Sequence, residues 1–181
     1  MRLLSPVRLL ATLGAVTLLA ACRTETTGPR FDADAHITAR VGSQDFAANY
    51  YVQSAIAQLQ GDTLLIGGLD LETSFAGREV VIAIPQYTGP GVYTLGARGS
   101  TGASGFVVLA PDMRLTPAQR DTLDSRYHTA ADAGQILIET HNQSIDRITG
   151  TFGFVAINEG NAADTLIIGG GQFAGLVSRA R

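Results

Sequence analysis

The sequence predicts an all-β fold: an antiparallel β-sandwich or flattened barrel of about eight to ten strands with one short crossover helix. Three observations lead there. From Ala35 onward the chain is a series of short runs rich in Val, Ile, Phe, Tyr and Thr, separated by Gly, Asn and Asp. Apolar residues alternate at period two, as at Ile148, Gly150, Phe152, Phe154 and Ala156, which places them on one buried strand face. The runs also follow one another too closely for parallel returns, which need a crossover of about a dozen residues or more.

Taken in order, the chain begins with a short basic start (Arg2, Arg8), an apolar core from Leu9 to Leu19, and the ending Leu19-Ala20-Ala21-Cys22. This is a secretory leader whose cleavage point is followed at once by a cysteine. The tetrapeptide matches the lipobox of bacterial lipoproteins, so residues 1–21 are expected to be removed and Cys22 to be the acylated first residue of the mature chain. A transmembrane anchor is the competing reading, but Ser5, Pro6 and Arg8 interrupt the run. What remains is well short of the about 20 apolar residues that a bilayer span requires. One acyl chain holds a protein only marginally, and a lipoprotein cysteine of this kind carries three. Arg23 after the cysteine, in place of aspartate, favours the outer membrane in such lipoproteins.

Residues 22–34 read as a flexible polar tether containing Thr24, Thr26, Thr27, Gly28 and Pro29. Residues 35–181 then form a single β domain. Its expected strands are Ala35 to Val41, Gln44 to Asn49, Tyr51 to Gln60, Thr63 to Leu71, Arg78 to Ile84, Val92 to Leu95, Gly105 to Ala110, Gln135 to Thr140, Ile145 to Ile157 and Thr165 to Val177. Gly42-Ser43 and Gly61-Asp62 fit two-residue hairpin loops, glycine supplying the positive φ. Thr116-Pro117-Ala118-Gln119 has a capping-box arrangement and predicts a surface helix running to about Tyr127. The stretch Asp62 to Gly68 is echoed by Asp164 to Gly170, either as a duplicated hairpin or as shared turn vocabulary. The diglycines are expected at bulges or sharp bends.

Composition narrows the chemistry. The chain has 181 residues, 13 basic and 16 acidic, and loss of Arg2 and Arg8 with the leader leaves 11 against 16, a net charge of −5. No basic patch is offered to nucleic acid, and membrane attachment must come from acyl chains. All basic residues are arginine, which excludes P-loop, Schiff-base and Ser-Lys chemistries that need a lysine. Cys22 is the only cysteine, so no disulfide is available.

The C-terminal third, Gly134-Gln135-Ile136-Leu137-Ile138, Ile148-Thr149-Gly150-Thr151-Phe152-Gly153-Phe154 and Gly170-Gly171-Gln172-Phe173, resembles a family of small bacterial lipoproteins of unknown function. Its members are similar in their I-x-G-x-F-x-F and G-x-F strands and in an earlier G-P-G-x-Y-x-L turn, here Gly89 to Leu95. The resemblance implies no activity, so it carries over no catalytic residue.

Site candidates rest on the residues alone. Asp32, Asp34 and His36 alternate and could form a metal triad, weighed against ordinary solvated charge at a domain edge. His36, His128 and His141 have no fixed spacing. Gly102-Ala103-Ser104-Gly105 lacks the spacing of a nucleophile elbow. Asp70 and Glu72 share a strand face as a possible acid–base pair. The glycines at 96, 99, 102 and 105 suggest a mobile loop that could form a binding lip. The resulting expectation is an outer-membrane envelope lipoprotein, lipidated at Cys22, with no catalytic, metal or cofactor site, no nucleic-acid partner and a monomeric state. It would act as a non-enzymatic binding or structural module. The alternatives are a lipocalin-like carrier of a small apolar molecule and a hydrolase using a serine with His128 or His141.

Overall fold

The computed structural model describes residues 34–48, 56–71, 76–97, 101–110, 112, 114, 116, 118–119 and 124–179. The leader, Cys22 and nearly all of the tether lie outside the described residues. Ten strands are present: β1 (His36–Val41), β2 (Gln44–Ala47), β3 (Ala57–Gln60), β4 (Thr63–Leu71), β5 (Gly77–Ile84), β6 (Gly91–Thr94), β7 (Ser104–Ala110), β8 (Ser125–Asn142), β9 (Arg147–Asn158) and β10 (Thr165–Arg179). The alternating patterns locate most of the strands, and β4 matches its expected span residue for residue, but β8 begins ten residues before the expected Gln135. Gly42 and Gly61 open the two predicted hairpin loops at φ of 62° and 61°.

Seven strands close into a barrel in the order β10-β3-β4-β5-β7-β8-β9 and back to β10. The hairpin β1-β2 extends from β10, and β6 lies along β8 beyond β7. The barrel half of the sequence expectation holds; the sandwich half does not. The reason is the length and curvature of the last three strands. β8 pairs with β7 through Phe106↔His128 and with β6 through Gly91↔Ile138, while β10 pairs with β1 through Ile37↔Phe173 and with β3 through Val177↔Ala57. Bulges between Thr129 and Gly134, between Ile138 and Thr140, and between Ile168 and Gly171 bend these strands so that the sheet returns on itself.

The sheet is also mixed rather than purely antiparallel. Val177, Ser178 and Arg179 of β10 run parallel to Ala57, Gln58 and Leu59 of β3. Short loops constrain only sequence neighbours, and these two strands come from opposite ends of the domain. Of the two diglycines, Gly169-Gly170 sits in the β10 bulge, with Gly170 at φ 60°. Gly67-Gly68 instead stays in regular register with Val81 and Val80, and a Cβ on Gly67 would lie 2.9 Å from the Val80 carbonyl oxygen.

Of the expected crossover helix, Ala118 and Gln119 are helical and residues 117 and 120–123 lie outside the described residues, but it does not run to Tyr127. Its cap does form: Gln119 N–H donates to Thr116 Oγ1 at 3.4 Å and Thr116 N–H to Gln119 Oε1 at 3.0 Å. From Ser125, however, the chain is strand β8. Tyr127 and Thr129 are buried while Arg126 and His128, which alternate with them, are not, so period-two burial prevails over a local cap. Tyr127 Oη donates to Asp164 Oδ2 at 2.9 Å, and Thr129, fully buried, both donates to and accepts from the Gly105 backbone.

One continuous core fills the interior, with Ile37, Phe46, Ile56, Leu64, Ile66, Ile82, Ile84, Ile136, Ile138, Ile148 and Phe173 at 2 % exposure or less. The motif glycines explain how so many large groups fit. Phe173 stands opposite Gly150 on β9, Phe154 opposite Gly134 on β8, and Phe152 opposite Gly171 on β10. A Cβ at Gly150 would lie 2.5 Å from Phe173 Cζ, and one at Gly171 only 2.6 Å from the Phe152 ring. The rings then contact one another, with Phe152 6.5 Å from Phe154 and 6.4 Å from Phe173 between centroids. Gly171→Ala is expected to destabilise the protein by about 2 kcal/mol through overpacking, and Phe152→Ala by about 4 kcal/mol through the cavity it leaves. Because the three atoms nearest the added methyl all belong to that ring, the double variant should cost at least about 1 kcal/mol less than the two singles together. Urea denaturation of the four proteins measures the coupling, and strict additivity would contradict the stacking account.

Candidate functional site

Among the described residues, the predicted site residues are not brought together. His36 is exposed at the start of β1, and its Nδ1 lies 3.1 Å from the Asp34 carbonyl oxygen rather than facing a carboxylate pair; Asp32 lies outside the described residues. No group of three His, Cys, Asp or Glu side chains is placed to hold a metal among the described residues. His128 and His141 both lie on β8, thirteen residues apart, on the order of 40 Å of extended strand. His128 Nδ1 is buried without a hydrogen-bond partner, and His141 bonds to a tyrosine, so no Ser-His-acid array is assembled on either ring among the described residues.

Ser104 and Gly105 begin β7, and Ala103 bridges Leu95 in a parallel contact, so this stretch is strand and not an elbow. Part of the glycine-rich loop, residues 98–100, lies outside the described residues, as does Glu72. Asp70 is committed to the neighbouring strand. It stands opposite Arg78, whose Nη2 donates to its Oδ2 at 2.5 Å, with both side chains 14 % exposed. Arg78 Nη1 also donates to Gln44 Oε1 at 3.2 Å, which ties β2 to the barrel wall. A carboxylate held this way serves as a cross-strand link rather than as half of an acid–base couple.

The most concentrated polar cluster joins three separate parts of the chain beside the G-P-G turn. Tyr87 follows β5, Tyr93 lies on β6 and His141 near the end of β8. Tyr93 stands opposite Ile136, and its hydroxyl donates back to the Gly89 carbonyl at 2.6 Å, which closes the turn against its own strand. Tyr87 packs tilted on Tyr93 at 5.9 Å and on His141 at 5.6 Å. Its Oη lies 3.0 Å from His141 Nδ1. Burial, reinforced by Tyr93, pushes the Tyr87 phenol up to about 12. The group therefore stays protonated at neutral pH, and it donates to Nδ1 or accepts from it according to the imidazole tautomer. His141 Nε2 is buried without a partner among the described residues.

Such an arrangement can orient and recognise, but a phenol held this far above neutrality is no general base. Sequence reasoning singled out the Gly89 to Leu95 motif but not the tyrosine–histidine cluster. Tyr93 within the motif was the available signal; the contributions of Tyr87 and His141 depend on tertiary placement.

These features define a class: a closed, mixed β-barrel whose largely aliphatic core includes three phenylalanine rings seated on glycines, with a tyrosine–histidine cluster beside its G-P-G turn. Residues 34–175 match the model of a family described as a domain of unknown function (DUF6252), and the chain belongs to that family. No curated protein matches the chain, and no solved structure does.

The raised Tyr87 pKa sets a pH dependence. An unfolded tyrosine ionises near 10.0 and folded Tyr87 near 12, so between these values the unfolded chain binds fewer protons. Stability contributed by Tyr87 is therefore whole below pH 10.0 and declines as the pH rises toward 12. Tyr87→Phe should shallow that decline, as read from melting temperatures across the interval; an unchanged slope would place the loss elsewhere.

Proposed function

We propose that this protein is a lipid-anchored module of the bacterial cell envelope, most simply of the outer membrane. In this reading it is attached through acyl chains on Cys22, and its barrel binds or supports an envelope component without catalysis. The observation that carries the barrel's role is its interior. Phe152, Phe154 and Phe173 are buried against glycine backbone and against aliphatic side chains from the rest of the ring. An interior so occupied supports recognition by the outer surface. The anchoring half rests on Leu19-Ala20-Ala21-Cys22 after an apolar leader. The acidic balance of the mature chain supports a partner other than nucleic acid.

A second reading, a lipocalin-like carrier of a small apolar molecule, is favoured by ring closure itself, since barrels of about eight strands can hold one small ligand. Fluorescence titration with a lipophilic naphthylamine dye separates the two. The surface-recognition reading expects no saturable signal, and stoichiometric saturable binding would favour the carrier.

Mass spectrometry of the protein from membranes is expected to find the leader removed and Cys22 carrying a thioether-linked diacylglycerol plus an amide-linked acyl chain. Cys22→Ser should shift the protein from the membrane fraction to the soluble one. An unmodified thiol, or an intact leader on the mature protein, would overturn the anchoring reading.

A further inference from the structure

Strand register shows which end of the barrel the chain enters. His36 at the start of β1 stands opposite Ala174 on β10, and Ala174 stands opposite Thr149 on β9. β9 begins only two residues before Thr149, so the β8–β9 turn, residues 143–146, lies at this same end. The β5–β6 loop joins it there, since Tyr87 packs on His141 close to the end of β8. The far end holds the β9–β10 turn, with exposed Glu159 and Asp164, and the β1–β2 turn, whose Gly42 N–H donates to the Ile167 carbonyl near the start of β10.

At the entry end the β8–β9 turn is fixed by polar contacts. Asn142 Oδ1 accepts the Ser144 N–H at 3.0 Å, Asp146 sits at φ 49°, and Arg179 Nη2 donates to Asp146 Oδ1 at 3.1 Å. None of these contacts uses the Ile145 side chain, which is 51 % exposed at the tip. Gln143 and Ser144 beside it are exposed and uncharged, as are Gln86, Thr88 and Pro90 on the β5–β6 loop. The half-buried Tyr87 and Tyr93 lie between strand and loop, and tyrosine is a residue that membrane interfaces favour. Exposed acid at this end comes from Asp34 and Asp62, while Asp146 is bridged to Arg179 and followed by Arg147.

We propose that the entry end of the barrel lies on the bilayer that holds the acyl chains, with Ile145 entering the boundary between headgroups and acyl tails. The inference rests on the anchoring through Cys22 proposed above. The occupant follows from the chain that leads into Asp34. Even fully extended, residues 22–34 span only about 40 Å, and the twelve residues of β9 set the two barrel ends about 30 Å apart at the usual strand tilt. The entry end can meet the surface at any extension of that segment. The far end can do so only if the barrel inverts and the segment runs nearly taut along its side. Inversion would also press Glu159 and Asp164 against anionic headgroups. Burial of one isoleucine shifts an equilibrium by roughly ten- to a hundredfold, too little to recruit a free protein but enough to orient one already tethered.

The full lipidated protein in vesicles of phosphatidylethanolamine and phosphatidylglycerol tests the proposal. Acylation of Cys22, the only cysteine, leaves an introduced cysteine as the single free thiol. Gln143→Cys at the entry end and Ile167→Cys at the far end, where the native side chain is 64 % exposed, are each labelled with a fluorophore. Flotation of the vesicles reads anchoring, and quenching by spin-labelled headgroups reads orientation. The label at 143 is expected to be quenched at least about threefold more than the label at 167, and Ile145→Asp in the Gln143→Cys protein should remove at least about half of that difference with flotation unchanged. Ile145→Ser gives the same readout if aspartate disturbs the turn. In protein that floats, equal quenching at the two positions, stronger quenching at 167, or quenching at 143 that both Ile145 variants leave intact would overturn the orientation and leave the anchoring standing. Protein that stays out of the floated fraction overturns the anchoring and this inference with it.

Discussion

The contact on which the rest of the molecule depends is a phenylalanine ring lying on the bare backbone of a glycine across the strand pair. It occurs between β8 and β9 and twice between β9 and β10, which include the longest strands of the barrel. A ring of seven strands leaves an interior only about wide enough for its own side chains. Three phenylalanines in neighbouring strands would collide if every opposing position carried a Cβ. Glycine removes that atom where each ring must lie, and the ring restores the burial that glycine alone would lose. Large and small residues thus alternate across facing strands, as a closely packed barrel interior requires.

This arrangement gives the I-x-G-x-F-x-F and G-x-F patterns a physical meaning. As a string of letters, Ile148 to Phe154 shows only that one face is buried. In the fold, Gly150 receives Phe173 and is also crowded by the Leu137 carbonyl, while Phe152 rests on Gly171. Strand positions were legible because they depend on period-two burial, a local property that even the long β9 preserves from Ile148 to Ala156. The choice between sandwich and barrel was not legible, because it depends on bulges in β8 and β10 and on which distant strand β10 meets at Val177. The segment before Tyr127 shows the limit from the other direction. Thr116 and Gln119 form the cap that their spacing implies, yet burial of Tyr127 and Thr129 commits the following residues to the barrel wall.

The candidate site was less legible than the fold. Its polar groups are satisfied or left over as a result of where strands end, not of any linear spacing. Tyr87, Tyr93 and His141 meet because the chain leaving β5 passes over β6 where β6 lies along β8. Asp70, which the sequence offered as chemistry, meets Arg78 because a hairpin register sets them opposite each other. The hydrolase reading required convergence of residues distant in the sequence, and His128 and His141 lie thirteen residues apart on the single strand β8.

The parallel seam between β3 and β10 governs when the ring can shut. Its partners, Ala57 to Leu59 and Val177 to Arg179, lie near opposite ends of the domain, so roughly the whole polypeptide must exist before the circle is complete. Pairings of such long sequence separation form slowly, because chain entropy is lost before any contact compensates it. Closure of the ring therefore waits for β10, the last strand among the described residues, and under the proposed export it would follow the passage of that strand.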